Sequence, residues 1–271
     1  MSQIHRVVGF LNNTIEYLDF KVDLSGHIEG NLNIGSEVWV ILPTFCEVQN
    51  IENVIRDIEN LKCDASILVV DDFSPDGTAD VVRTLQKEYG NILLYIRPGK
   101  CGLGTAITDG FKILLSLKNQ PKFIVTMDAD YSHNPQDISK LVEAAQEDGD
   151  LTIGSRYCTG GRTVHWPAIR RLLSKIANSI ASMIVGAGIC DYTSGMRCYS
   201  TKLVRNIISS LHSQTYEIQI ETIRQAHKKD FRIKEIPITF INRKRGKSKL
   251  SMNEISDFLT YILSILQIPT V

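Results

Sequence analysis

From Glu37 onward, short apolar runs alternate with longer segments of helical periodicity. Five runs predict buried strands, at Val38–Leu42, Ser66–Val70, Ile92–Ile96, Phe123–Met127 and Leu151–Ile153. Between them, apolar residues three or four positions apart predict helices, one over Leu103–Leu117 and another capped by Asn134 and opened by Pro135. This alternation predicts an α/β fold, a mostly parallel, doubly wound sheet with helices on both faces.

Two segments flank this α/β region. Residues 1–36 contain an alternating run at Tyr17–Leu24 and predict a β-rich extension that packs on the main domain. Near the other end, apolar residues at helical spacing in Glu254–Leu266 predict an amphipathic helix. We therefore expect an N-terminal extension (1–36), a main domain (37–252) and a C-terminal amphipathic helix (253–271).

Composition narrows the classes of protein to which this chain can belong. Its 271 residues include 30 Lys plus Arg and 30 Asp plus Glu, so no global charge favours nucleic-acid binding. The six cysteines lack Cys-x-x-Cys pairs and zinc-ligand spacing, which is typical of reduced thiols in the cytoplasm. No run of 18 or more uncharged apolar residues is present, so no membrane span is predicted.

The fourth predicted strand leads into two carboxylates, Asp128 and Asp130, on either side of Ala129. Ligands of α/β sheets collect at the carboxyl ends of strands, and alternate residues of an extended chain share a face. Both carboxylates can therefore point to one site, where their repulsion favours a cation between them. A hard divalent cation, Mg²⁺ or Mn²⁺, that also holds phosphate oxygens fits this need. A solvated acidic turn is the alternative.

Two further predicted strands also end in polar loops. The second strand leads to Asp72, which can accept hydrogen bonds from a ribose or a base. The third leads into Arg97–Gly104, a glycine-rich loop with two cations that fits neither the dinucleotide-binding nor the P-loop pattern. We expect Gly102 and Gly104 to admit a sugar nucleotide close to the backbone, with Lys100 as a local counter-charge.

A cationic segment comes late in the chain. Five of the seven residues from 243 to 249 are Lys or Arg. Such a run is usually solvated and flexible, but Arg suits phosphate because its planar fork donates two hydrogen bonds. We expect Asn242–Leu250 to be a lid that becomes ordered when a diphosphate relieves the repulsion among these cations.

Taken together, eight motifs resemble family 2 of the glycosyltransferases, which has the GT-A fold. Within that family they are most similar to the polyprenyl-phosphate sugar transferases, the dolichyl-phosphate mannose synthases. The motifs occur in the family's order and cover about residues 37–252. They are Pro43–Glu47, Val69–Thr78, Gly102–Gly104, Asp128–His133, Gly154–Tyr157, Trp166–Pro167, Thr193–Arg197 and Arg243–Leu250.

The resemblance implies roles for individual residues. Residues that would bind the donor are Pro43, Phe45, Glu47, Val70, Asp72, Lys100, Asp128, Ala129, Asp130, Ser132, Arg243 and Lys249. Residues that would bind the acceptor phosphate are Arg156, Arg170 and Ser194. Asp128 and Asp130 would hold the metal, and the catalytic set would be Asp128, Asp130, Arg156, Arg243 and Lys249.

The sequence departs from the family's pattern at three of these motifs. Cys46 stands where the family usually has Asn, and Met196 stands where it usually has Phe. Ser132 stands where the family usually has Gln, so one donor or metal contact of the family is missing from the motif.

The implied reaction is the metal-dependent, inverting transfer of a sugar, mannose from GDP-mannose, to a polyprenyl (dolichyl) phosphate. A phosphate monoester is already anionic at neutral pH, so positioning and charge stabilisation would suffice without a strong general base. Three alternatives remain. They are a family member that uses another donor such as UDP-glucose or a non-lipid acceptor, a metal-dependent nucleotidyltransferase, and a binding protein without activity.

A lipid acceptor also requires contact with a membrane. The basic, amphipathic segments Ile169–Val185 and Glu254–Leu266 are candidates to lie in the interface plane. We therefore expect peripheral attachment to the cytoplasmic face of a membrane. The alternatives are a membrane-anchoring partner, a homo-oligomer contact, and burial of these apolar stripes in the core.

Overall fold

The fold is built around an eight-stranded sheet. The structure, a computed structural model, describes residues 14–15, 22–23, 25–61, 63–243 and 261. Its strands are β1 (Thr14–Ile15), β2 (Val22–Asp23), β3 (His27–Glu29), β4 (Val38–Thr44), β5 (Ala65–Asp71), β6 (Ile92–Ile96), β7 (Phe123–Thr126), β8 (Leu151–Ser155), β9 (Arg162–Val164), β10 (Arg197–Ser200), β11 (Ile233–Pro237) and β12 (Thr239–Ile241). Its α-helices are α1 (Ile51–Glu59), α2 (Thr78–Tyr89), α3 (Leu103–Ser116), α4 (Asp137–Asp148), α5 (Ala168–Val185), α6 (Thr201–Ile207) and α7 (Ile218–Lys228).

The predicted parallel arrangement is confirmed. The order across the main sheet is β11-β8-β10-β7-β4-β5-β6-β3. Strands β7, β4, β5 and β6 run parallel to one another, as β8 does to β11. Strand β10 is inserted antiparallel between β7 and β8. All five predicted strands are present, with ends within two residues of those expected.

Both faces of the sheet are covered by helices. Along β4, Trp39 and Ile41 join the hydrophobic cluster that contains residues of α3, α6 and α7. Val40 and Leu42 point the other way and join the cluster formed with α1, α2 and α4. This period of two follows from the pleat of a strand, and a strand covered on both faces reads as a continuous apolar run.

The predicted start of α4 was wrong. The helix begins at Asp137 rather than at Pro135. The side chain of Asn134 accepts a hydrogen bond from the Gln136 N–H at 3.2 Å, and its carbonyl accepts one from Asp137 at 3.0 Å. Asn134 therefore closes a turn that precedes the helix, which is a competing use of an Asn side chain.

The N-terminal segment contributes the last strand of the sheet. Strand β3 pairs antiparallel with β6, and the Gly26 N–H donates to the Tyr95 hydroxyl at 3.2 Å. Most of the predicted strand Tyr17–Leu24 and of the predicted helix Glu254–Leu266 lies outside the described residues. In the described part of the chain, no helix has the length and apolar character needed to cross a bilayer.

Helix α5 presents its apolar side chains to solvent. Ile169, Leu172, Leu173 and Met183 are between 54% and 83% exposed. By contrast, the polar Asn178 is buried on the inner side. The inner side packs on the core through small or partly buried residues, including Ala181. This distribution is the reverse of what burial of the apolar stripe in the core would give.

Candidate active site

A cleft that opens to solvent lies at the carboxyl ends of β4, β5 and β7. It is lined by Pro43, Thr44, Phe45, Glu47, Asp72, Lys100, Gly102, Leu103, Ala106, Asp128, Ala129, Asp130, Tyr216 and Arg243. Most of the predicted donor residues are therefore brought together. They converge because parallel strands end at the same edge of a sheet.

The two predicted metal ligands occupy one wall of the cleft. Asp130 accepts a hydrogen bond from the Ser132 N–H at 2.9 Å, and its other oxygen lies 2.8 Å from Nη2 of Arg243. The Asp128 N–H donates to Nδ1 of His133 at 3.3 Å. Burial, together with the neighbouring Asp130, raises the pKa of Asp128 despite the opposing influence of His133 and Arg243.

These residues fit a cation held jointly by protein and ligand. Burial and the neighbouring Asp130 both disfavour the charged form of Asp128, and a cation between the two carboxylates would stabilise it. No group of three or more His, Cys, Asp or Glu side chains in the described part of the chain could hold a metal ion alone. Two carboxylates that leave the other positions to substrate phosphates and water are typical of Mg²⁺.

Asp72 holds the glycine-rich loop in addition to lining the cleft. One of its oxygens accepts from Nη1 of Arg97 at 2.6 Å, and the other accepts from the N–H groups of Cys101 and Gly102 at 3.2 and 3.1 Å. Burial raises the pKa of Asp72, although Arg97 opposes the shift. Nε of Arg97 also lies 3.4 Å from Asp109. Asp72 therefore shapes the cleft as well as facing it.

The loop glycines Gly102 and Gly104 pack closely against the backbone of residues 213–214. A Cβ on Gly102, whose φ is +100°, would lie 2.5 Å from the Gln214 carbonyl, and one on Gly104 would collide with the Ser213 carbonyl. The Gly104 N–H donates to the Gln214 carbonyl at 2.9 Å. Residues 213–214 therefore fill the Cβ side of both glycines, while Gly102 also lines the cleft, and the expected approach of a sugar nucleotide to this backbone stays a prediction.

Arg156 is buried behind the cleft. Its Nε and Nη2 each donate to Asp191 at 2.7 Å, and its backbone N–H donates to the same carboxylate at 2.9 Å. Burial alone would raise the pKa of Asp191, but the Arg156 guanidinium outweighs it and holds that pKa below its usual range. The guanidinium carbon lies 5.4 Å from the centre of the Trp166 ring.

Arg170 lies between the cleft and the exposed face of α5. Its guanidinium stacks 4.3 Å from the centre of the Trp166 ring, and Nη1 donates to Oδ1 of Asn242 at 2.8 Å. Burial lowers the pKa of Arg170, and the nearby cations Arg243 and Arg156 lower it further. These three cations form a positive region that an anion would stabilise.

Several predicted site residues do not line the cleft. The side chain of Val70 belongs to the hydrophobic core, and the Ser194 hydroxyl donates to the Gly154 carbonyl at 2.5 Å. Ser132 is buried beside Asp130. Lys249 and the rest of the predicted lid beyond Arg243 lie outside the described residues.

Sequence reasoning missed two residues that the structure places at the site. Tyr216 lines the cleft at the start of α7, and no periodicity or spacing marks it. Asp191 anchors Arg156. The sequence signal for it was a single acidic residue among uncharged neighbours, because a carboxylate that is buried there needs a cationic partner elsewhere in the chain.

Comparison with known proteins identifies the family. The model described as Glycosyl transferase family 2 matches residues 39–208. The chain belongs to glycosyl transferase family 2. This glycosyltransferase is 37% identical over 220 residues to polyprenol monophosphomannose synthase of Mycolicibacterium smegmatis, a match that covers 80% of this chain and 82% of the relative. It is 34% identical over 215 residues to undecaprenyl-phosphate mannosyltransferase of Micrococcus luteus, covering 79% and 87% of the two chains.

Solved structures share the fold of this glycosyltransferase. Glucosyl-3-phosphoglycerate synthase of Mycobacterium tuberculosis, in complex with Mn²⁺, UDP and glucosyl-3-phosphoglycerate, superposes with a TM-score of 0.62 at 15% identity, covering 87% of this chain and 80% of that one. The same synthase with Mg²⁺ and UDP gives a TM-score of 0.61 at 17% identity, covering 87% and 79%. The GT-A fold expected from the sequence is thereby confirmed.

Proposed function

We propose that this glycosyltransferase transfers mannose from GDP-mannose to a polyprenyl phosphate, with inversion at the anomeric carbon. The observation that carries the proposal is that Arg170 belongs to α5, with its exposed apolar face, and lies near enough to Arg243 and Asp130 of the cleft for their charges to affect its pKa. A phosphate on an apolar chain needs a cation beside an apolar surface. The names of the two relatives support mannose as the transferred sugar and a polyprenyl phosphate as the acceptor.

The donor diphosphate would lie against Asp128 and Asp130. A divalent cation, Mg²⁺ or Mn²⁺, bound there would offset the charge that develops on the departing nucleoside diphosphate. Arg243, 2.8 Å from Asp130, is positioned to contact the same phosphates. Lys249 would contribute a second cation from the predicted lid. Pro43, Phe45, Glu47 and Asp72 would surround the nucleoside.

The acceptor phosphate would lie at the cations on the other side of the cleft. Arg170 is half-buried and would bind it directly, while Arg156 is tied to Asp191 and contributes its charge from behind. Ser194, whose hydroxyl bonds to Gly154, would act by supporting the backbone there. The attacking oxygen is already anionic, so proton abstraction is not required.

The exposed face of α5 would rest on the membrane that contains the acceptor. Arg171 and Lys175 are exposed near its start, where they can contact anionic headgroups. We propose peripheral attachment at the cytoplasmic face, with a membrane-anchoring partner or a homo-oligomer as the alternative cover for this face.

A direct assay tests the function. The purified protein is incubated with Mn²⁺, a short polyprenyl phosphate and either GDP-mannose or UDP-glucose, and the lipid product is identified by mass spectrometry. We expect a mannosylated lipid phosphate that disappears in EDTA and in the Asp130→Ala variant. Transfer of glucose from UDP-glucose would show that the donor is not GDP-mannose. Transfer to 3-phosphoglycerate, offered in place of the lipid, would show that the acceptor is not a polyprenyl phosphate. No transfer at all would overturn the proposal.

A further inference from the structure

Phe73 is an aromatic side chain that the fold holds in solvent. It is 65% exposed and is the one exposed phenylalanine among the described residues. The other large apolar side chains that are exposed there lie on α5, apart from Leu32. An exposed Phe forgoes the burial that usually stabilises it, so its place in the fold indicates a contact with something outside the chain.

The backbone of Phe73 also adopts a conformation that its side chain disfavours. Its φ is +56°, in the left-handed region where glycine is favoured and a bulky residue is an outlier. Such conformations persist where neighbouring contacts impose them, and they cluster at ligand-binding sites.

Contacts of its two chain neighbours fix the backbone of Phe73 next to residues of the cleft. On one side, the Asp72 N–H donates to the Thr44 carbonyl at 2.9 Å, and both residues line the cleft. On the other side, Ser74 donates to Asp71 and accepts from the Cys46 N–H at 2.9 Å, directly after the cleft residue Phe45. The backbone on both sides of Phe73 is thus anchored to a second strand-end loop, and both loops border the proposed nucleoside position.

We propose that the Phe73 ring contacts the nucleobase of the donor and contributes to donor affinity. The proposal rests on the proposed function, because it presumes a nucleoside diphosphate in this cleft. Nucleobases stack on exposed aromatic rings through their π-faces. Phe45 offers a second ring in the cleft, and Lys100 already lies over it with Nζ 5.1 Å from the ring centre. An exposed ring on the adjacent loop is therefore available to the base.

Calorimetry with Mn²⁺ and nucleotides tests the contact. The Kd is measured for GDP and UDP, and whichever binds the unaltered protein more tightly becomes the probe. We expect Phe73→Gly to weaken that nucleotide by about 5- to 100-fold, the range for loss of one stacked base. Phe73→Tyr, which keeps the ring, should bind within about twofold of the unaltered protein. Inorganic pyrophosphate with Mn²⁺ lacks a base, so its Kd should not change in Phe73→Gly.

Stability separates this role from a structural one. Phe73→Gly relieves the left-handed strain and should melt at or above the temperature of the unaltered protein while binding nucleotide less well. Asp230→Gly, at another left-handed residue with φ of +55° after α7, is the matched control and should leave nucleotide affinity unchanged. Unchanged nucleotide affinity in Phe73→Gly, or an equal loss for pyrophosphate, would overturn the inference. If the unaltered protein binds neither nucleotide nor pyrophosphate, the proposed function fails instead.

Discussion

At the scale of single residues, Asp128 of the cleft is held by a neighbour, His133, that does not line the cleft. His133 is buried beneath Asp128, accepts its N–H and packs edge-to-face on Phe240 with ring centres 5.0 Å apart. His133 is therefore a positioning residue for Asp128.

We predict that His133→Asn retains function better than His133→Leu. The Asn side-chain oxygen occupies nearly the position of Nδ1 and can accept the same N–H, whereas Leu leaves that buried donor unpaired at a cost of about 1–3 kcal/mol. The kcat/KM of His133→Leu should fall by about 10- to 100-fold, because small misplacements of a reacting group are costly. Steady-state kinetics over a range of Mn²⁺ concentrations measures this. Equal activity of the two variants would refute the positioning role.

We predict that Asp191→Asn destabilises the protein strongly at neutral pH. It leaves the buried Arg156 charge unpaired, which costs about 3–5 kcal/mol. Because the pKa of Asp191 is lowered in the folded state, its contribution is present above the unfolded pKa of about 3.9 and is lost as the pH falls through the folded value. The stability gap between the two proteins should therefore narrow below about pH 4. Urea unfolding at several pH values measures the gap.

A double substitution provides the control for the Asp191 prediction. Replacing Asp191 by Leu and Arg156 by Met together removes both charges and should destabilise less than Asp191→Asn alone. If the double variant is the less stable one, the cost does not come from an unpaired arginine.

At the scale of elements, α5 has its two sides inverted relative to an ordinary surface helix. Its inner side holds Asn178, which donates to the Ser174 carbonyl and accepts from the Tyr192 N–H at 2.6 Å. Asn178 therefore ties α5 to the loop that carries Asp191. The outer side is left with the large apolar residues, and it is continuous along the chain with Arg170.

We predict that replacing Leu172 and Leu173 by Ser weakens binding to anionic liposomes without lowering the melting temperature. Both side chains are more than half exposed, so they contribute little to the core but would enter the headgroup region. Sedimentation with liposomes at low and high salt measures the effect. Leu32→Ser removes an exposed leucine away from α5 and should change nothing. Unchanged sedimentation of the double variant would instead favour an anchoring partner or an oligomer contact.

At the scale of the whole molecule, the sequence predicted the parallel half of the sheet well and the rest poorly. Strands β4 to β8 are recognisable because strands covered on both faces are apolar throughout. Strand β10 begins with Arg197, fully buried, whose side chain donates to the carbonyls of Ser194, Tyr192 and Gln219. Two of these partners belong to the preceding loop and the third to α7, and no hydrophobic period along the chain marks an arginine that is buried in this way.

The residues of the candidate site also fall into a group that the sequence predicted and a group that it did not. Asp128, Asp130 and Asp72 follow apolar runs directly, so their position at the edge of the sheet could be predicted. Tyr216 and Asp191 reach the site through long connections that carry no periodic signal. For this reason, the residues that follow the apolar strands were predicted more completely than those contributed by the second half of the chain.

The pairing of β3 with β6 has a consequence for how the chain can be shortened. Strand β3 pairs with Leu94–Ile96 of β6 and covers their outer hydrogen-bonding groups, and these residues are apolar or aromatic. A chain that begins at Glu37 would expose that edge, and an exposed, apolar edge strand is a template for intermolecular pairing. We predict that such a chain self-associates in size-exclusion chromatography, whereas one that begins at Leu24 stays monodisperse. Residues 27–29 would then protect the protein from aggregation, a role separate from catalysis.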